Sequence, residues 1–346
     1  MVETKNIFHI YEYDINVEIV KFGGFSMANA TTIKQCREII INNHKQHAIV
    51  VSAPGKYGIY QTKVTDDLIQ CTQGCSKLDS IITRFEHIAH ELLSQDQYLE
   101  FIRILDQTKI DITQNIKDYN FVVSRGEYLS AKLFALYLGY NFIDAQDILM
   151  IKPDATIDLE ATQKQIKLNK LRQKIPFVIG GFYGQYKGKT ALFTRGGSDY
   201  TGAILAALMH ASLYKNYSDT DGIQTANPHL VYGTQTIPCL DFESLDILTH
   251  NGAGIIHENV AKLLGTYRVP LRVDNTFNPD KFFTEVHSPR CRRCQHNFFC
   301  VTNKGNDIII VKRKHNNPIS VQTINSTPQT LIEDMQKLHL ELLKQL

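Results

Sequence analysis

Twice in this chain a short apolar run stops at a pair of glycines and a helical pattern begins at once, an arrangement that few folds accommodate. The first case is Val17 to Phe22, then Gly23-Gly24-Phe25-Ser26, then a helix pattern from Asn29 to Asn42. The second is Ala191 to Phe193, then Arg195-Gly196-Gly197-Ser198-Asp199, then an alanine-rich helix pattern from Thr201 to Met209. Paired glycines let backbone approach a ligand closely, and a helix opens with unpaired N–H groups at the positive end of its dipole. Such corners suit a phosphate or a carboxylate; an ordinary turn is the alternative. Arg195 offers a fork-shaped donor. Lys21 ends its strand as a compact point charge suited to a phosphoryl group, although it lacks the spacing of a Walker lysine. A third corner, Tyr217 to Gly222, carries Ser218, Asp219 and Asp221. Its two carboxylates could order a ribose, a Mg2+ or a nearby lysine, or the Asp-Gly pair could simply turn the chain.

Between these corners, apolar runs alternate with helical patterns. Strands are expected at 17–22, 48–52, 141–143, 176–180, 190–193, 212–217 and 269–273, and helices at 29–42, 64–72, 78–94, 126–138, 160–172, 198–209, 241–250 and 257–265. This order predicts an α/β fold, a mostly parallel central sheet sandwiched by helices. Ligands in such sheets sit beyond the carboxyl ends of the strands, where all three corners are expected to fall. Residues 74–120 read as a helical insertion with little catalytic signal.

Composition narrows the function classes. A formal net charge of +2 with no basic stripe among aromatics gives no sign of nucleic-acid binding. No run of 18 apolar residues occurs, and the N-terminus is too acidic and polar for a signal peptide, so no membrane and a cytoplasmic location are expected. Cys291, Cys294 and Cys300, with His287 and His296 nearby, could form a zinc knuckle; reduced cysteines in a basic loop are the simpler reading, and no protein-held metal is assigned.

Past about residue 284 the character changes. Asp307 to Val311 and Ile319 to Ile324 read as strands, Thr327-Pro328 as a capped helix start, and Leu331, Met335, Leu338 and Leu342 as one apolar face. That face either packs on its own domain or makes a dimer contact. The division expected is a catalytic domain over 1–284 and a short α+β extension over 285–346.

In order, Lys21-Phe22-Gly23-Gly24, Val51-Ser52-Ala53, Gly126-Glu127 with the following Leu-Ser-Ala-Lys, Arg195 to Asp199, Asp219-x-Asp221-Gly222-Ile223 and Val273 to Asn278 closely resemble the motifs of aspartate kinases in the amino acid kinase superfamily. The resemblance spans roughly residues 17–284. It implies the amino acid kinase fold, ATP and Mg2+, L-aspartate as substrate, 4-phospho-L-aspartate as product on the route to lysine, threonine and methionine, and a homodimer. By resemblance, Lys21 and Asp199 are catalytic, with Asp199 orienting the lysine. Glu127 takes the α-ammonium and Arg195 the α-carboxylate with Ser198, while Ser52 and Thr65 match substrate-loop positions around a lengthened loop. Lys21, Gly23, Gly24, Gly196, Gly197, Ser218, Asp219 and Asp221 would hold ATP.

The departures from that pattern lie on the nucleotide side. Gln224 stands for the family's tyrosine, His229 for its arginine and Gly254 for a phosphate-contacting lysine. Losing one charge-assisted contact costs about 1.5–3 kcal/mol. The family usually continues into two ACT effector modules, for which about 60 residues are too few; Phe299 to Val311 resembles only the opening of one, so the usual feedback site is expected to be missing. Besides an aspartate kinase, the same residues fit a kinase of the same fold for another small amino acid or carboxylate, or a catalytically weak regulatory homologue.

Overall fold

The computed structural model describes residues 17–43, 45–74, 76–193, 197–254, 256–287, 297–314 and 317–345. The first strand, β1 (Val17–Phe22), is buried along its whole length. Asn29 then caps α1 (Ala30–Ile41) by accepting from the Thr32 amide, and β2 (Gln46–Val51) returns beside β1. Four helices follow, α2 (Val64–Thr72), α3 (Leu78–Leu92), α4 (Gln95–Gln114) and α5 (Tyr119–Leu138).

The last of these begins seven residues before the expected 126. Asp118 caps it through the Phe121 amide, and Gly126 lies in its interior. A Cβ at Gly126 would stand 2.8 Å from the Ala53 Cβ, so this glycine serves close helix-to-loop packing and is no helix start.

Next come β3 (Asn141–Ile143), α6 (Ala145–Ile148) and α7 (Leu159–Leu168). The last ends at Asn169, short of the expected 172, and a separate 3-10 turn occupies Leu171–Lys174. The chain continues through β4 (Phe177–Gly180), β5 (Tyr183–Tyr186), β6 (Lys189–Leu192), α8 (Gly197–Leu208) and β7 (Leu213–Ser218). Then follow β8 (Cys239–Asp241), α9 (Phe242–His250), α10 (Asn259–Tyr267), β9 (Leu271–Asn275) and β10 (Thr284–His287). Asp241, expected inside a helix, ends β8 and caps α9 through the Ser244 amide.

Eight strands form one sheet in the order β3-β4-β2-β1-β7-β9-β10-β8, parallel except where β10 runs against β9. Val17, Ile19, Ala48 and Val50 face one core, beneath α8, α9 and α10. Val20, Phe22, Ile49 and Val51 face the other, beneath α1 to α5. A sheet covered on both faces needs near-continuous apolar strands, which is what β1 and β2 supply. The expected strand 190–193 is different: β6 pairs only with β5, in an antiparallel hairpin outside the main sheet. The second glycine corner therefore does not follow a strand of the central sheet. It reaches the site because α8 packs its first turn against the end of β4, where a Cβ on Gly181 would stand 2.6 Å from Ser198.

The C-terminal residues form an antiparallel sheet of β11 (Phe298–Lys304), β12 (Asp307–Arg313) and β13 (Ser320–Asn325), covered by α11 (Leu331–Leu343). Thr327-Pro328 makes a turn into this helix, with the Thr327 carbonyl accepting from Leu331. Met335, with Leu331, Leu338 and Leu342 around it, packs on Phe299, Val301 and Ile308 and on Ala226 and Val231 of the main body. The apolar face is thus used within the chain. Among the described residues no helix is long and apolar enough to cross a membrane.

At the amino ends of the strands, Glu18 accepts from Asn43 at 2.8 Å and pairs with Lys215 at 3.0 Å. His47 lies 3.8 Å from the same carboxylate, yet burial, aided by Lys215, pulls its pKa to about 4. It is therefore neutral in the fold, with its Nε2 unpartnered. Because the folded value lies below the ordinary 6.5, the unfolded chain takes up the proton first as pH falls. Stability from this site is complete above pH 6.5 and declines toward pH 4, by on the order of 2–3 kcal/mol. In urea denaturation at pH 7 and pH 4.5, His47→Gln should lose less stability on acidification than the parent chain; equal losses would remove His47 from the acid response.

Candidate active site

Lys21 stands opposite Asn216 in the β1–β7 ladder, one residue before the end of its strand. Its ammonium lies 2.6 Å from Asp199 Oδ1 and 3.4 Å from Asn216 Oδ1, and Asn216 Nδ2 donates to the same Asp199 oxygen at 3.0 Å. Three residues from two strands and the first turn of α8 thus form a closed triangle. An ammonium has three donors, and this geometry uses two for orientation, leaving one for a ligand. Asn216 was not singled out in the sequence. Its signal there is a polar side chain inside an otherwise buried strand.

The first glycine turn folds over this triangle. Gly23 N donates to Tyr217 O at 3.1 Å, and a Cβ on Gly23 would lie 3.4 Å from Lys21 Nζ. Gly24 meets the loop after β2 backbone to backbone: Gly55 N donates to Gly24 O at 2.7 Å, and a Cβ on Gly55 would stand 2.8 Å from the Gly24 carbonyl carbon. Ser52 opens that loop with its amide on Phe22 O at 3.1 Å. The helical insertion, which carried little catalytic signal, sends one side chain here. Arg84 of α3 is fully buried and donates to Ala28 O at 2.9 Å and to the carbonyls of Gly55 and Thr62, with Tyr60 stacked on it. One guanidinium therefore ties the glycine turn to the loop after β2.

Glu127, on α5, is 4% exposed. Its Oε1 accepts from the Thr65 hydroxyl at 3.5 Å, and its Oε2 is buried without a partner. The structure thus brings Thr65 to Glu127 across the lengthened loop. Burial raises the Glu127 pKa to about 7, against the opposing pull of the Ala53 amide and Arg125. Arg125 itself is packed among the rings of Phe121, Tyr128 and Tyr183. A carboxylate that is desolvated on one oxygen is a site waiting for a cation.

Gly197 and Ser198 open α8 beside Asp199; Arg195 and Gly196 lie outside the described residues. Ser218 and Asp219, at the carboxyl end of β7, line a cavity of about 240 Å³ with Gln224, Asn227, His229 and the segment Gly252 to Gly254. Asp221 is less available, because Asn275 Nδ2 holds its carboxylate at 2.6 Å. Gly254 has open space where a side chain would project. A larger, shallower hollow of about 420 Å³ beside Pro238, Phe282 and Glu285 touches none of these groups. Of the cysteine cluster, Cys291, Cys294 and His296 lie outside the described residues, while Cys300 is buried against Gln224 O and its thiol is pushed up to about 12, unsuited to metal ligation as it stands.

Glu127 has a folded pKa above its ordinary value, so the unfolded chain releases this proton first as pH rises. Its contribution to stability is present below about pH 4.5 and lost by about pH 7. Glu127→Gln should therefore melt higher than the parent at pH 8 and nearly equal to it at pH 4.5; no gap at pH 8 would mean that the carboxylate carries no burial cost.

The sequence profile of the amino acid kinase family matches residues 16–275. Aspartokinase 3 of Bacillus subtilis is 31% identical over 296 residues, covering 79% of this chain and 64% of that protein. The aspartokinase of Chlamydia trachomatis is 28% identical over 275 residues, covering 76% and 62%. The chain thus spans less than two thirds of the length of these relatives. Among solved structures, Clostridium acetobutylicum aspartate kinase superposes with a TM-score of 0.70 at 27% identity, over 86% of this chain and 68% of that one. E. coli aspartokinase III, in a complex with aspartate and ADP, shares the fold with a TM-score of 0.74 at 20% identity, over 92% of this chain and 83% of its own. With a profile match over three quarters of its length and a parallel sheet that carries the Lys21–Asp199 pair at its carboxyl edge, the chain belongs to the amino acid kinase family.

Proposed function

We propose that this chain phosphorylates the side-chain carboxylate of L-aspartate with Mg-ATP, giving 4-phospho-L-aspartate. The observation that carries the reading is the pairing of an oriented lysine with a buried, half-satisfied glutamate at one edge of the sheet. The aspartokinase relatives, and the E. coli structure that holds aspartate and ADP, supply the substrate pair.

The nucleophile in this reaction is a carboxylate that is already ionised, so no general base is required. Alignment and cancellation of negative charge are what the site must provide. Lys21 neutralises the transferring phosphoryl group with its remaining donor, and Asp199 and Asn216 keep it on the line of transfer. Backbone amides of Gly23, Gly24, Gly196 and Gly197 take phosphate oxygens. The substrate ammonium gives Glu127 Oε2 its missing partner and lowers the glutamate pKa as it binds; Thr65 holds the other oxygen. Arg195 and Ser198 take the α-carboxylate, with Ser52 at the mouth of the loop.

Among the described residues no three potential metal ligands come together. A Mg2+ would arrive on the triphosphate, as kinase magnesium commonly does, and Asp219, which lines the cavity, is the carboxylate that could hold it. Such an ion would screen the phosphate charges. The assembly proposed for the active protein is a homodimer.

The main test is hydroxylamine trapping of the acyl phosphate with Mg-ATP and a panel of amino acids. Hydroxamate with aspartate, abolished in Lys21→Ala, is the expected result; a signal with another acid would reassign the substrate, and none from folded protein would favour the non-catalytic reading. That second reading is favoured by one feature: the family carries a lysine at 254, and neither lysine nor arginine is among the described residues that line the cavity. Gly254→Lys has room to place an ammonium and should lower the KM for ATP about tenfold. An unchanged KM would mean that the phosphates lie beyond the reach of a lysine side chain at this position.

A further inference from the structure

We infer that the C-terminal segment completes the nucleotide site of this protein, with Thr302 and Asn303 of β11 contacting the nucleoside half of ATP. The inference rests on the kinase reading above and assigns binding residues outside the motifs that led to it.

The strand β11 is continuous with the nucleotide loop. Val301 N donates to Thr225 O at 2.8 Å, and Ala226 and Val301 form a parallel bridge. Behind this junction His339 of α11 is fully buried and meets the Thr225 hydroxyl at 2.9 Å. On the opposite wall Gly252 has a φ of +95°, and a Cβ there would stand 2.5 Å from Asn303 O and 3.2 Å from Thr302 Oγ1. The main body and β11 therefore approach to backbone distance on two sides, and the cavity of about 240 Å³ lies between them. Thr302, Asn303 and Met335 line it together with Ser218 and Asp219. Without this segment the cavity would be an open groove.

Charge decides which part of the nucleotide lies here. The lining holds hydroxyls, amides, one carboxylate and the imidazole of His229, and neither lysine nor arginine is among its described residues. A triphosphate would find no permanent counter-charge; a ribose and a base would find hydrogen-bonding partners. Lys21 and the first glycine turn lie next to Asn216, two residues before Ser218 and so about 7 Å away along the strand, roughly the spacing from phosphates to nucleoside. Asn303 donates to Gly305 O at 3.0 Å, which fixes its amide at the end of β11 and leaves its oxygen as an acceptor.

The test measures binding of Mg-ATP and of Mg-tripolyphosphate by calorimetry on the full chain, comparing the parent with Thr302→Val and with Thr302→Val/Asn303→Leu, and KM for aspartate in parallel. Thr302→Val is isosteric and guards against misfolding, checked by its melting curve. The double variant should bind Mg-ATP at least tenfold more weakly, with the single variant intermediate, while tripolyphosphate affinity and the KM for aspartate stay within twofold. Unchanged ATP affinity, or equal loss for ATP and tripolyphosphate, would overturn the inference while leaving the kinase reading standing. A parent chain that binds no Mg-ATP would overturn both.

Discussion

The ion pair between Lys21 and Asp199 joins parts of the fold that are remote in sequence. It links β1 to the start of α8, and Asn216 extends it to β7. Both partners are largely withdrawn from water, and a buried pair of this kind gives little net stability, because desolvation offsets the attraction. Its geometry is better understood as orientation. The parallel register puts Lys21 level with Asn216, and the amide bridges lysine and aspartate. Everything else in the site is arranged about that fixed ammonium: the glycine turn that folds against it, the loop that Gly55 locks to Gly24, and the guanidinium of Arg84 holding both.

Glu127 shows the opposite arrangement, a group whose surroundings disfavour its charge and to which we assign the substrate ammonium. One oxygen has a hydroxyl partner and the other has none, and burial shifts its protonation toward neutrality. Stability is given up at a place where a cation would restore it, as expected of a binding site and not of a structural core. His47 at the far end of the sheet is also buried and shifted, but it sits beside Glu18 and Lys215 at the strands' amino ends. Location at the carboxyl edge is what separates the group proposed to bind substrate from the structural one.

Much of this was legible in the sequence because it depended on local chemistry. The glycine corner after β1 and the apolar strands are short local patterns, and the Gly-Glu pair on α5 was visible through its resemblance to the family motif. What was not legible depended on contacts between distant segments. Gly126 looked like a helix start, and only the approach of Ala53 shows why it lies in mid-helix. The run at 190–193 has strand character, but no local signal says that it pairs with β5 and not with the sheet. Arg84 and Asn216 were hidden for the same reason: an arginine in an amphipathic helix and an asparagine in a strand acquire roles only once Ala28, Gly55 and Lys21 are beside them. Asp307 to Val311 and Ile319 to Ile324 could be read as strands, while β11 and its packing on the loop after β7 could not.

The central claim is that a ligand carboxylate, placed by these residues, attacks the terminal phosphorus of ATP directly. Aspartate labelled with oxygen-18 in its side-chain carboxylate tests it. Hydroxylamine releases the phosphoryl group with the oxygen that bridged carbon and phosphorus, and phosphorus-31 NMR resolves labelled from unlabelled phosphate. The account predicts one oxygen-18 in the phosphate released in step with hydroxamate. Phosphate that carries no label would mean that water, and not the carboxylate, accepts the phosphoryl group.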